Sequence, residues 1–179
     1  MAIERLSCPF PDNITPLSSG GFMLSIQKSP NVKFWCNQAN LPGMNLGSAI
    51  LSSPFSQVNT PGETIAYDPL NVQFLIDSDM SNYYELWNWM YSLGFPEKWD
   101  DFTNFTNADT RQLRGDAAKL VSDASLTILN NSNNPVRTIQ FIDLFPVNLT
   151  SLQMQANNND VVYLTGEATF NYSHWKFVD

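Results

Sequence analysis

The chain has 179 residues, 43% of them hydrophobic and 13% aromatic, which is enough for one domain with a substantial core and too short for two independent ones. Nine Lys and Arg against 17 Asp and Glu leave a formal charge of −8, which excludes a surface that grips nucleic acid by neutralising phosphates but not one that lets a polyanion pass. Only 15% of residues are charged while Asn alone occurs 20 times, so the surface is polar through amides and hydroxyls more than through ions.

Residues 1–20, with Pro9, Pro11, Pro16 and Gly20, read as an irregular N-terminal arm ahead of a single domain over 21–179. The start MAIERLSCPFPD has no cationic head before a long apolar stretch, and no apolar run nears the roughly 20 residues of a bilayer span. The expectation is a soluble chain with no membrane partner, its Cys8 and Cys36 free thiols in a reducing cytoplasm. From Phe22 the pattern has period two, with Phe22, Leu24 and Ile26 on one side, and Val32, Phe34 and Cys36 repeat it after the turn Lys28–Asn31. That predicts a hairpin of the first two strands.

The stretch from Ala39 to Asp68 is rich in Gly, Pro and Ser, with strand-like pieces at Ser48–Phe55 and Glu63–Tyr67, and predicts a loop and a ribbon projecting from the sheet. Leu70–Ile76 is densely apolar, as in a strand covered on both faces. A helix is predicted from Ser81 to Leu93, capped by Asp79 or Ser81 and stopped by Gly94 and Pro96. Its stripe of Tyr83, Leu86, Trp87, Met90 and Leu93 is expected to pack on a sheet; Trp89 and Tyr91 lie off it, facing either a partner or a groove in the same domain. Residues 95–121, with Trp99, Phe102 and Phe105, read as an inserted excursion that docks elsewhere.

Three strands close the chain: one through Ala124, Leu126 and Ile128, one through Arg137, Ile139 and Phe141, and a long one from Val162 to Tyr172. Between the last two, Pro146 is expected to break the ladder where the chain crosses from one sheet to another. The fold class is therefore mainly β, an antiparallel sandwich or part-barrel with one packed helix.

No catalytic constellation emerges. His174 is the single histidine, on a terminal strand with no evident base or nucleophile beside it, and one His with two distant Cys cannot make the usual zinc site. Asp77 with Asp79 and Asp100 with Asp101 read as caps and solvated turns rather than a cation site. Neither phosphate-cradling nor dinucleotide-binding glycine motifs occur. The expectation is a protein that is not an enzyme and needs no cofactor or metal. One alternative is a carbohydrate-binding β-sandwich module with Trp89, Trp99 and Trp175 stacked on sugar; a hydrolase built on paired carboxylates lacks the placement it needs.

The order of pieces carries a resemblance. FWCNQANLPGMNLG, NTPGETIAYDPLNVQFLID, the helix SNYYELWNWMYSL, DLFPVNLTSLQMQ and the final FNYSHWKF follow one another as in the tail-tube proteins of contractile-tailed bacteriophages of the T4 type, from about Phe22 to Phe177. The C-x-x-A-x-L-P-G stretch at Cys36–Gly43, the PGE turn at Pro61–Glu63 and the LFP at Leu144–Pro146 resemble that family most. The resemblance implies two antiparallel sheets and a helix in a subunit of a six-fold homo-oligomeric ring, stacked into a tube through which DNA passes without specific binding. It also implies a place in the virion tail, assembled in the host cytoplasm, beside tube, sheath, baseplate or neck proteins, as the repeated tube subunit or as a terminal ring. By the same analogy, ring-to-ring contacts fall on the ribbon at Leu46, Pro54 and Phe55, and subunit contacts at Leu41, Pro42, Gly43, Phe145 and Pro146.

Overall fold

The computed structural model describes residues 16–52, 55–94, 120–155 and 163–178. The N-terminal arm up to residue 15 and most of the 95–121 excursion lie outside the described residues, as do Pro54, Cys8 and Trp99. In chain order the elements are β1 (Phe22–Ile26), α1 (Val32–Trp35), β2 (Cys36–Ala39), β3 (Met44–Ser52), β4 (Gln57–Tyr67), β5 (Leu70–Leu75), α2 (Ser81–Gly94), β6 (Ser122–Leu129), β7 (Pro135–Leu149), β8 (Thr165–Asn171) and β9 (His174–Val178).

Every strand pairing is antiparallel. One sheet runs β1–β6–β7–β9 and the other β7–β8–β5–β2, so the 15-residue β7 belongs to both. Its first part pairs β6 and β9, and Phe145–Leu149 pair β8. The chain crosses between sheets here, as expected, but the hinge is Asp143, at φ 56°, rather than Pro146. Asp123 Oδ1 accepts from the Asp143 amide at 3.3 Å, and Ser173 Oγ donates to Asp143 Oδ2 at 3.2 Å, which secures this left-handed residue. Pro146 stays in the strand opposite Phe170, buried, with a register slip just after it.

The core fills the space between the sheets. Leu24, Leu126, Ile139 and Phe141 come from the first sheet, Val72, Phe74, Ala168 and Phe170 from the second, and Leu86 and Trp89 from α2. The predicted helix is present, but its stripe is rotated: Asn82, Leu86, Trp89 and Ser92 are the buried residues. Trp89 is 2% exposed and Trp87 43%. The two polar members hid this line from a count of apolar side chains. Asn82 is buried because it fastens the helix start to β5, its Nδ2 donating to the Leu75 carbonyl at 2.8 Å and its Oδ1 accepting from the Tyr83 amide at 2.8 Å. Trp89 Nε1 donates to the Leu120 carbonyl at 3.1 Å, its ring lies 6.4 Å from that of Phe170, and Lys28 Nζ sits 5.6 Å above it.

Other expectations change. There is no hairpin of the first two strands: Lys33 N–H donates to the Pro30 carbonyl at 3.3 Å, Val32–Trp35 turn helically, β1 pairs β6 and β2 pairs β5. A five-residue alternation straight after a proline fits one helical turn as well as a strand. β5 is buried on one face only, its residues alternating between buried and half-buried. The last predicted strand corresponds to β8, and after a turn at Tyr172 and Ser173 the chain adds a strand the alternation does not indicate, β9, which returns along β7.

Two measurements test this packing. Trp89→Ala is expected to cost about 3–5 kcal/mol in denaturant unfolding and Trp87→Ala less than about 1 kcal/mol; comparable losses would contradict the helix orientation. Glu85 Oε1 accepts from Asn31 Nδ2, whereas Oε2 is buried with no partner among the described residues. Burial raises the Glu85 carboxyl above the usual range, opposed by the Asn31 hydrogen bonds. An acid raised in the folded state takes stability away as pH rises through its folded value. Glu85→Gln therefore raises Tm at neutral pH, and the gain shrinks as the solution is acidified below the normal glutamate range.

Candidate assembly interface

β3 and β4 form a two-stranded ribbon that pairs with neither large sheet. Nine residues of β3 span about 30 Å at ~3.3 Å per residue. Ile50 and Leu51 are neighbours and so point to opposite faces, yet each is 61% exposed. Neither face of the ribbon is covered by the described residues. Met44, Leu46, Val58 and Ile65 are also exposed, and Phe55, at the tip, is 97% exposed. Between Leu41 and Tyr67 the only charged residue is Glu63. An isolated pair of strands is marginal in water, and a ribbon of this length with one charge and many exposed apolar side chains calls for a partner.

The motifs behind the resemblance shape this ribbon. The register slips between Leu46 and Ser48, and there the strands approach so closely that a Cβ on Gly62 would lie 2.5 Å from the Gly47 carbonyl oxygen. Only glycine fits at Gly62, the G of PGE, and that stretch lies within β4 at the register slip rather than in the expected turn. A Cβ on Gly43, the G of LPG, would meet Asp68 Oδ2 at 2.6 Å, and the Gly43 carbonyl accepts from the Asp68 amide at 3.1 Å. Tyr172 then ties this root to the body: its hydroxyl donates to the Asp68 carbonyl at 2.6 Å, and its ring packs edge-on against Phe141 at 5.1 Å. Burial, with the Asp68 and Tyr67 charges adding to it, pushes the Tyr172 phenol up to about 12, so this donor keeps its proton throughout the physiological range.

The expected contact residues fall into two places. Gly43 and Phe145 converge at the root, where a groove of about 320 Å³ is lined by Tyr67, Asp68, Phe145, Asn171, Tyr172 and Ser173. Phe145 is exposed there and Leu41 is exposed two residues before Gly43, whereas Pro42 and Pro146 are buried within the chain. Leu46, opposite Ile65, and Phe55 lie out along the ribbon, away from that root. The clamp of Asp68 and Tyr172 is absent from the sequence reading; a tyrosine ending the long closing alternation is its one available sign.

The sheets themselves have open borders. Among the described residues β1 pairs only β6, β9 only β7, and β2 only β5. A second apolar surface follows the outer side of α2, where Tyr84 stacks on Trp87 at 5.8 Å and Trp87 on Tyr91 at 4.7 Å. The sugar platform of Trp89, Trp99 and Trp175 has no such standing: Trp89 is in the core, and Trp175 is half-buried against Phe177. His174 lies on β9 opposite Ile142, and among the described residues no three His, Cys, Asp or Glu gather as metal ligands. Among those residues no helix is long and apolar enough to cross a membrane.

Comparison with known proteins places these features in a family. A search of curated protein sequences finds no match. Among solved structures, the chain is similar to a component of the anti-feeding prophage baseplate, 6-fold symmetrised, with TM-score 0.62 and 14% identity over 92% of this chain and 96% of that one. It is also similar to a chain of the sheath/tube terminator of the PVC extracellular contractile injection system in its extended state, with TM-score 0.58 and 15% identity over 92% and 98%. A third likeness is to the tube-terminating cap of the anti-feeding prophage, with TM-score 0.55 and 14% identity over 99% of both chains. At such identities these likenesses establish the fold, a mainly β body of two antiparallel sheets with a packed helix. The model of the phage tail tube protein family matches residues 6–178, and with that span the chain belongs to the phage tail tube family as a structural component of the tail.

Proposed function

We propose that six copies of this chain close into a ring of a tail tube through which DNA passes, acting as a structural element of the virion and carrying no catalysis. The observation that carries the proposal is the β3–β4 ribbon, with apolar side chains exposed on both faces and neither face covered by the described residues. Closing a ring pairs or covers the open sheet borders, and stacking one ring on another covers the ribbon. Copies with a formal charge of −8 repel one another, so they associate through parts with little charge, and the ribbon carries Glu63 alone.

In this arrangement Leu46, Phe55 and Pro54 meet the next ring. Leu41 and Gly43 with Phe145 meet the adjacent subunit, while Pro42 and Pro146 shape the backbone beneath them. The neighbouring proteins are tube, sheath, baseplate or neck components; the structural likenesses include a baseplate, a sheath/tube terminator and a cap, which fits a ring at either end of a tube as well as one along it. Assembly takes place in the host cytoplasm, and no cofactor takes part. The number of copies per particle separates a terminal ring, with six, from the repeated subunit, with a large multiple of six.

Negative-stain images and light scattering of the purified chain, alone and with a neighbouring tube ring, are expected to show six-fold rings or stacks; a chain that stays monomeric in both settings contradicts the proposal. Replacing Leu51 and Phe55 together by Ser removes two apolar side chains worth about 1.5–3 kcal/mol each when buried. The concentration needed for stacking then rises at least about tenfold, since ~1.4 kcal/mol is a factor of ten, while thermal unfolding of the isolated chain stays unchanged. Undiminished stacking would remove the ribbon from the contact.

A further inference from the structure

β9 is an outer strand with one side left open. Among the described residues it pairs with β7 alone, so along its other side a row of amides and carbonyls has no partner there. Trp175 and Phe177 stand opposite the core residues Phe141 and Ile139, so both point to the inner side of the sheet. Phe177 is nevertheless 54% exposed, since the described residues leave the inner side uncovered at this strand. Trp175 Nε1 is buried with no acceptor among the described residues. An open backbone row beside an apolar shelf is a site for one more strand, and it suits an extended segment with apolar side chains at alternate positions.

The sequence holds such a segment ahead of β1. In Leu6–Pro11 the apolar Leu6, Cys8 and Phe10 alternate with Ser7, Pro9 and Pro11. In a strand the N–H and C=O of one residue point to one side, and those of the next residue to the other. Both prolines fall in the same phase. A strand that turns Leu6, Cys8 and Phe10 toward β9 therefore points the two missing N–H groups away from it, which is the placement a sheet border allows proline. Cys8 and Phe10 each precede a proline, which favours extended backbone at both.

The location of Pro16 selects the border within reach. Ser18 N–H donates to Asn131 Oδ1 at 3.1 Å, and Asn131 Nδ2 donates to the Pro16 carbonyl at 3.4 Å. The chain ahead of β1 thus lies over the turn between β6 and β7, not along the open side of β1. From that turn the border beyond β9 is about two and a half strand spacings away, about 12 Å. The links from Pro16 back to Pro11 reach up to about 17 Å. β9 runs toward this same turn, with Val178 opposite Thr138 near the start of β7, so a segment ending at Pro11 runs parallel to it.

We infer that residues 6–11 lie on the open border of β9 in their own chain as a short parallel strand. Leu6, Cys8 and Phe10 cover the shelf of Trp175 and Phe177, and Pro9 and Pro11 deny the new outer edge to any further strand. The inference goes beyond the ring proposal and does not need it; it removes one border from those a neighbouring copy has to meet.

The test uses the full chain with Cys36→Ser, which leaves Cys8 as the one native thiol, and adds Phe177→Cys or, at the border of β1, Met23→Cys. In dilute monomer a short bismaleimide is expected to join Cys8 to position 177 within one chain at least tenfold faster than to position 23. Joining to position 23 as fast or faster, a link formed only between two chains, or no link to either overturns the inference. A second readout keeps Phe177 in place. Cys8→Pro strips an N–H from the phase facing β9 and is expected to speed hydrogen exchange of the β9 amides at least tenfold. Ser7→Pro, in the outward phase, leaves them unchanged, and the amides of β5 and β8 keep their rates in both variants. Equal β9 rates in the two variants, fast or slow, contradict the arm's place. No measurement here requires an assembled ring, so its failure leaves the ring proposal standing, and a chain that never forms rings leaves this inference standing.

Discussion

A strand at a sheet border carries a row of amides and carbonyls with no partner, and a lone pair of strands has no second layer to shelter its side chains. The architecture of this chain follows from how it leaves that demand open. Its core is complete, with large side chains such as Trp89, Phe74, Phe141 and Phe170 sealed between the sheets and α2. Its borders are not. The same chain that buries every core-facing position of β5 and β8 sends an apolar ribbon into solvent.

Joining the sheets through one strand ties the core to the open parts. β7 turns at Asp143 and serves both sheets, so a force on the Phe145 end is transmitted into the first sheet without a flexible connection. Tyr172, just past β8, anchors the ribbon root through Asp68 while packing on Phe141 in the first sheet. The ribbon is thus held at its base by residues that also belong to the core. That suits a projecting arm whose direction must be fixed before it meets another copy. Polarity is divided along the same lines: cations on the first sheet and beside α2, neutral amides on the second, and almost no charge on the ribbon.

Much of the fold was legible in the sequence because it rests on period-two alternation, and β1, β6, the first part of β7 and β8 lie where that pattern places them, while the ribbon strands start earlier in the chain than their predicted pieces. The ribbon was recognisable from its Gly, Pro and Ser content. What failed were places where a polar residue does structural work. Asn82 is buried for its hydrogen bonds and Ser92 lies buried on the same line, which turns the helix about one position away from its apparent stripe. Pro146 was blamed for a bend that belongs to Asp143, since a left-handed aspartate has no sequence mark as plain as proline's. The pairing of β1 with β6 joins residues about a hundred positions apart, which local pattern cannot reveal. Of the site, the glycines at 43 and 62 were visible as turn signals, but their role in admitting Asp68 and Gly47 is a matter of close approach that only coordinates define.

The account turns on the ribbon gaining its cover from other copies, and amide hydrogen exchange reads that cover directly. In the isolated chain the backbone amides of residues 44–52 and 57–67 should exchange far faster than those of β5 and β8. In assembled rings the same ribbon amides should slow by orders of magnitude while the core amides change little. Ribbon amides already protected in the monomer, or still fast after assembly, would contradict it.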